Sequence, residues 1–504
     1  MSKSRAFDEA YKKLNKEQKE AVDTVEGPVL VIAGPGTGKT HILTLRVANI
    51  LKKTDASPDS ILVLTFTDSA ARTARKRLSD LIGEETAQKV GAFTFHSFAE
   101  YVMKEYPEAF AEYTDRRLMG DVEQVLLWRE VLSNKEVKYL ATAKSPFHYL
   151  GDLKSLEDEL TRECVSLEAY RAWLTDEKKR IEEDPELRYV RGEKAGELNQ
   201  AGRRRIENLE KGYEAISLIE AYRDAKDTKR VYGYTDVLRI VVDALQEDGA
   251  LRADLQEQYQ YVLADEHQDA NALQHALLDA LAFDDSPNLF IVGDEKQAIF
   301  GFQGADVTHF KTFLELYPNA KVIALEANYR SYEEILTLAH GTLTDLPSST
   351  GGHRKLSAHR GTGAHIQMLA AGDPLAERDQ VATLVEQAIH AGTPPHEIAV
   401  ITYKNPTADL FALTLAARGI PVLRAGNIDL ESRPSIRFLL ALMHAVADAG
   451  NTSALREALL APWWSVPLQE RALFLRRHSD RELYQGLQET FPEIANMLTE
   501  LQEG

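Results

Sequence analysis

PVLVIAGPGTGKTHILTLRVANILKK occupies residues 28–53. Its first six residues, PVLVIA, form an apolar β-branched run bounded by a glutamate-glycine turn and a glycine-rich stretch, which reads as a buried strand. Residues 40–53, THILTLRVANILKK, space their apolar positions as a helix does. Between strand and helix lies AGPGTGKT, residues 33–40. The loop comprises Gly34, Pro35, Gly36, Thr37 and Gly38, followed by Lys39 and Thr40. Glycines let the backbone bend so that successive N–H groups turn inward on phosphate oxygens, at the positive end of the following helix. In such a loop Lys39 reaches the β- and γ-phosphates and Thr40 ligates Mg²⁺. The strict pattern begins on glycine, where this chain has Ala33.

Outward from that unit the chain alternates strands and helices. DSILVLTF (59–66) and GAFTF (91–95) read as strands, and DSAARTARKRLSDLI (68–82) as a helix. Such alternation implies a parallel sheet covered on both faces. Residues 105–230 are charged and helical in pattern. Strands resume at QYVLAD (260–265) and NLFIVGD (288–294), so a helical domain interrupts one sheet. A second α/β run follows with KVIALE (321–326), HIQMLA (365–370), EIAVIT (397–402) and IPVLRA (420–425). From residue 431 to 504 the pattern is helical again.

Composition sets bounds. The 504 residues are 44% hydrophobic and 27% charged, ordinary for a globular protein. One cysteine, Cys164, rules out an intramolecular disulfide and a thiolate zinc site, and a reducing cytoplasm fits. IRFLLALMHAVADA (436–449) is too short and too polar to span a bilayer and reads as a buried helix, so no membrane association is expected. The net charge of −19 excludes a protein basic all over, but phosphate contacts need only local lysines and arginines.

YQYVLADEHQDA (259–270) runs an apolar strand into three carboxylates within five residues. Nucleotide hydrolysis needs a metal-side carboxylate at the end of a neighbouring strand and a group that orients water. Asp265 fits the first role and Glu266 the second, while Asp269 suits the cap of a helix beginning at Asn271.

Seven stretches now stand in order: LNKEQKEAV (14–22), AGPGTGKT, LTFTDSAA (64–71), TFHSFA (94–99), LADEHQDA (263–270), VGDEKQAIFGFQGA (292–305) and LEANYRS (325–331). The chain resembles superfamily 1 DNA helicases, most closely the UvrD/Rep/PcrA branch, over essentially its whole length. The resemblance implies that Gln18 reads the adenine edge, Lys39 and Thr40 hold phosphate and Mg²⁺, and Asp265 and Glu266 are metal carboxylate and catalytic base. It implies that Gln297 senses the γ-phosphate, Tyr329 packs on adenine, and Arg330 reaches the γ-phosphate, where a planar guanidinium spreads over transferring oxygens. His41 stands where an adenine-packing arginine is common. For DNA it points to Phe66, Thr67, His96, Phe300 and Phe302, since aromatics stack on any base. Arg72, Arg75 and Lys76 share a helix face that meets either phosphates or solvent, and Arg203, Arg204 and Arg205 carry the same two readings. His267 takes a usually aromatic position, Gln303 a frequent arginine, and Asp68 and Ser69 an asparagine-lysine pair.

The architecture the resemblance implies is α/β, with RecA-like P-loop NTPase domains built on parallel sheets and inserted all-helical domains. Residues 1–104 and 230–318 form the first RecA-like domain and 105–229 its helical insert. Residues 319–430 form an incomplete second RecA-like domain, and 431–504 begin its helical insert. In the family two further motifs follow, one with a second γ-phosphate arginine, and the sequence stops before them. The expected function is an ATP-dependent, Mg²⁺-requiring DNA helicase or translocase moving 3′→5′ on single-stranded DNA and duplex junctions, in repair or replication. The alternative is a truncated ATP- and DNA-binding module with weak ATPase, served by a complementing C-terminal polypeptide.

Overall fold

Side chains along a strand point alternately to opposite faces, and strand β1 (Val29–Ala33) is buried on both. The computed structural model describes residues 3–140, 147–191, 194–282, 287–297, 308–343, 355–424, 434–448, 451–479 and 482–503. It sets beside β1 the strands β2 (Ile61–Thr65) and β3 (Gly91–Thr94). Two short strands, β4 (Arg117–Leu118) and β5 (Val231–Tyr232), precede β6 (Tyr261–Ala264), β7 (Leu289–Gly293) and β8 (Lys321–Leu325). β1, β2, β3, β6, β7 and β8 form one parallel sheet in the order β3-β2-β6-β7-β1-β8.

The period of two divides the core. Leu30, Leu62, Leu64, Val262, Ala264 and Ile291 pack under the helices Phe95–Glu105, Tyr234–Glu247 and Ala272–Leu281. Val29, Val31, Ile61, Val63, Leu263 and Phe290 pack on the opposite face under Lys39–Lys53 and Asp68–Ile82. A sheet buried on both faces explains why its strands read as continuous apolar runs. It also gathers the carboxyl ends of β1, β7 and β6, which lie side by side in that order. The strand bearing Asp265 is therefore next but one to β1, with β7 between.

The helical insert has its own core around Trp128, Ile216 and Ile219, with Trp128 stacked on Tyr222 at 4.1 Å. β4 and β5 pair where the chain leaves and re-enters the sheet domain. Beside them Lys226 Nζ reaches Asp236 at 2.7 Å and Glu157 at 3.3 Å, tying the insert to the Tyr234–Glu247 helix.

Several expectations need correction. KVIALE, expected to open a second domain at residue 319, is β8, the edge strand beside β1, because Ile323 and Leu325 complete the core under the Lys39–Lys53 helix. The chain divides into two compact units, Met1–Ile366 and Gln367–Gly504. In the second unit none of HIQMLA, EIAVIT or IPVLRA is a strand over its described residues. A β-branched run shows only that side chains suit a sheet, whereas a ladder needs a partner in register. These segments instead expose Met368, Ile401 and Leu423, each more than nine-tenths accessible. The helices Pro374–His390 and Asn405–Ala417 of that unit meet around Ala382, Val385 and Leu415, and the helices from Pro434 onward pack around Leu459, Phe474 and Leu487. The run at 436–449 forms the helix Pro434–Ala447 but is buried on one side only, since Leu439 and Met443 are exposed. Among the described residues no helix is long and apolar enough to cross a membrane.

Candidate nucleotide and nucleic-acid site

β1 ends at Ala33 and the chain turns through a loop that needs two left-handed residues, Gly36 (φ +71°) and Gly38 (φ +92°), a region costly for any residue with a Cβ. The Thr37 hydroxyl donates to the Gly34 carbonyl at 2.8 Å and fixes the bend. The helix Lys39–Lys53 then begins with its first N–H groups facing the loop. Pro35 is exposed at the outer turn, and Thr37 is fully buried.

Lys39 and Thr40 reach across the sheet to the end of β6. Lys39 Nζ lies 2.7 Å from Glu266 Oε2, and the Thr40 hydroxyl donates to Asp265 Oδ2 at 3.1 Å. Asp265 is only 3% exposed. Burial first, and then the neighbouring Glu266 carboxylate, raise its pKa to about 6, against the pull of Lys39. A buried carboxylate raised this way, beside a threonine hydroxyl, favours a cation between them, so Asp265 and Thr40 fit Mg²⁺. Glu266 adopts the left-handed conformation at φ +50°, uncommon for a residue with a side chain and of a kind that clusters at functional sites.

Gln268 was not singled out in the sequence, and it joins three parts of the site. Its Nε2 donates to Glu266 Oε2 at 2.8 Å and to Asp269 Oδ2 at 3.3 Å, and its Oε1 accepts the Asp294 N–H at 2.9 Å. Asp294 follows β7 and accepts Gln297 Nε2 at 2.8 Å. Gln297 is thus linked to Glu266 through Asp294 and the buried Gln268 amide. A glutamine three residues after the strand-ending Asp265 was the available signal. Asp269 does not cap the next helix. Asn271 does, accepting the Gln274 N–H, because it stands directly before the first turn while Asp269 is held by Gln268.

Gln18 lies on the helix Lys16–Asp23, capped by Asn15. Its Nε2 donates to the Thr37 carbonyl at 2.8 Å, so it meets the phosphate loop directly. His41, one residue past Thr40, is held below the usual imidazole pKa by burial and by Arg77 and Lys13. On the other side of the loop, the Tyr329 N–H donates to the Gly36 carbonyl at 2.9 Å. The Tyr329 ring lies 4.8 Å from His359, and Arg330 is exposed beside the loop.

Thr67 is exposed and caps the helix Asp68–Ile82 through its hydroxyl, while Phe66 is half-buried against Phe95 at 5.4 Å. His96 stacks on Tyr234 at 4.1 Å with an interplanar angle of 12°. Burial pushes the His96 pKa down to about 4, with a smaller push from Arg162. Tyr234 is 53% exposed at a helix start, and only the fold brings it to His96. Phe300, Phe302 and Gln303 lie outside the described residues. Arg75 donates to the Ala92 carbonyl at 2.6 Å and closes the β3 edge, and Arg72 bonds the Asp68 carbonyl of its own helix. Arg203 pairs with Glu197 at 2.9 Å. His267 fills an aromatic niche, 4.4 Å from His275 and 5.6 Å from Phe310.

Two family models match the chain: the UvrD/REP helicase N-terminal domain over residues 14–318 and the UvrD-like helicase C-terminal domain over residues 323–484. Among curated relatives, the ATP-dependent DNA helicase PcrA of Staphylococcus epidermidis is 28% identical over 455 residues, 90% of this chain and 56% of that protein. The protein of the same name from Staphylococcus aureus is 25% identical over 453 residues, 89% of this chain and 56% of that protein. The chain thus spans about half the length of the curated relatives it matches. The C-terminal match corrects one expectation. A C-terminal domain is represented here, so neither a truncated module nor a complementing polypeptide has support. With the N-terminal model matched over more than half the sequence, across the strands and loops that assemble the site, the chain belongs to the UvrD/REP helicase family.

Proposed function

We propose that this chain is an ATP-dependent motor on DNA: it hydrolyses Mg-ATP at the carboxyl ends of β1, β6 and β7 and moves 3′→5′ along single-stranded DNA, opening duplex junctions in repair or replication. One observation carries the reading. Lys39 and Glu266, and Thr40 and Asp265, meet in pairs from the start of the loop's helix and the end of β6, at the mouth of a glycine-rich loop. Family membership and the relatives' name support it.

In this mechanism the loop N–H groups and Lys39 cradle the phosphates, and an arriving γ-phosphate competes with Glu266 for Lys39. Glu266, steadied by Gln268, then orients the attacking water. Thr40 and Asp265 would hold Mg²⁺, which when bound would supply positive charge beside the phosphate oxygens. Gln18 and Tyr329 flank the base, and Arg330 meets the γ-phosphate. Gln297 connects that event to the strand, which runs past Phe66, Thr67, His96 and Tyr234. Phe300 and Phe302 are proposed as further stacking residues.

Labelled-ATP titration and turnover test the site. Lys39→Ala should abolish binding, and Glu266→Gln should bind ATP but not turn it over. Parental ATP binding by Lys39→Ala would refute the phosphate-cradle assignment.

A further inference from the structure

Asn328 in β9 (Ala327–Asn328) is fully buried. Its Oδ1 accepts the N–H groups of Arg330 at 2.9 Å and Ser331 at 2.7 Å, and its Nδ2 donates to the Pro35 carbonyl of the phosphate loop. Only one orientation of the amide satisfies all three, since two partners donate and one accepts. A Cβ at Gly36 would stand 2.7 Å from Arg330 Cβ and 2.8 Å from Asn328 Nδ2, so the segment rests directly on a loop position that only glycine can fill. β9 is held in turn by β10 (Ser357–Ala358), and the Asn328 carbonyl accepts the His359 N–H at 2.8 Å.

We infer that Asn328 is a positioning residue that sets the Arg330 guanidinium in register with the phosphate loop. The two bonds to Oδ1 fix the turn from which the Arg330 side chain departs. The bond from Nδ2 fixes that turn to the loop, so a shift of the loop around a nucleotide is carried to Arg330. The inference rests on the proposed contact of Arg330 with the γ-phosphate.

The test is a double-mutant cycle on the full chain with Asn328→Asp and Arg330→Ala. Asn328→Asp keeps an oxygen for the two N–H groups but removes the donor to Pro35. It should lower kcat by roughly 10–100-fold, as a misplaced catalytic group does. It should also reduce discrimination of ATP over ADP, which a general loss of structure would not do. On the Arg330→Ala background it should cost nothing further, because coupled residues are not additive. An equal loss on both backgrounds would mean that Asn328 acts elsewhere and would overturn the inference. A crippled Arg330→Ala beside an unimpaired Asn328→Asp overturns this inference alone. Parental turnover by Arg330→Ala overturns the reading of Arg330 and this inference with it. If Asn328→Asp does not fold, Asn328→Ser, which retains an acceptor, takes its place. Failure of both to fold makes Asn328 a folding residue and overturns the inference.

Discussion

At the scale of single residues, the site depends on a few buried polar groups whose partners are set by the fold. Gln268 is one, at 2% exposure. Replacing it by leucine removes the bonds to Glu266 and Asp294 while keeping an apolar body in place. Glu266 should lose its orientation, and kcat should fall by roughly 10–100-fold with ATP affinity retained. Equilibrium binding and steady-state turnover on the same preparation check this, and a matched loss in both would contradict it. His96 offers a pH test. Its pKa falls from 6.5 to about 4 on burial, so the folded state binds fewer protons than the unfolded state between those values. The associated stability is present above pH 6.5 and is lost as pH falls toward 4, to a limit of about 3 kcal/mol. His96→Phe keeps a ring on Tyr234 but cannot titrate. Its melting temperature should therefore decline less than the parent's between pH 7 and 5, and parallel decline would rule out His96 as the source.

At the scale of elements, the helix carrying Gln18 is fastened to the helix of the phosphate loop. Arg46 donates to the Ala21 carbonyl at 2.9 Å and the Val25 carbonyl at 3.2 Å, and also to Thr24, all at the end of Lys16–Asp23. Its guanidinium lies 4.5 Å from the Phe290 ring, and burial pushes its pKa down to about 9. A cation at a helix C-terminus also complements the macrodipole. Arg46→Met fills similar space but leaves buried carbonyls without donors. It should cost roughly 1–3 kcal/mol and weaken adenine nucleotides, as Gln18 loses its fixed distance to Thr37. Calorimetric melting and ATP titration measure the two effects. An unchanged melting temperature would show that water replaces the guanidinium.

At the scale of the whole molecule, the net charge of −19 means that the DNA strand of the proposed function would be held by local groups against a repulsive field. Binding of single-stranded DNA should therefore fall steeply with salt, because each phosphate neutralised releases counterions. Strand separation is the corresponding functional test. A duplex with a 3′ single-stranded tail should be opened in an ATP-dependent manner, and one with a 5′ tail should not, with Glu266→Gln inactive on both. Equal opening of the two substrates would remove the assigned polarity.

The sequence by itself determined the phosphate loop, the strand-ending carboxylates and the α/β class. These are local: a glycine needed at φ +71° or a strand buried on both faces leaves its mark in consecutive residues. It also marked His267 as a departure, and the structure gives the imidazole the aromatic niche that position demands. Only the tertiary structure decided that β7 lies between β1 and β6, and that KVIALE edges the first sheet. It alone brought Tyr234 onto His96 and Asn328 onto Pro35, partners 138 and 293 residues apart by their numbers. The β-branched segments of the second unit teach the converse. Propensity belongs to one segment, but a strand exists only when a second backbone lies in register beside it, and no residue in the segment specifies that partner.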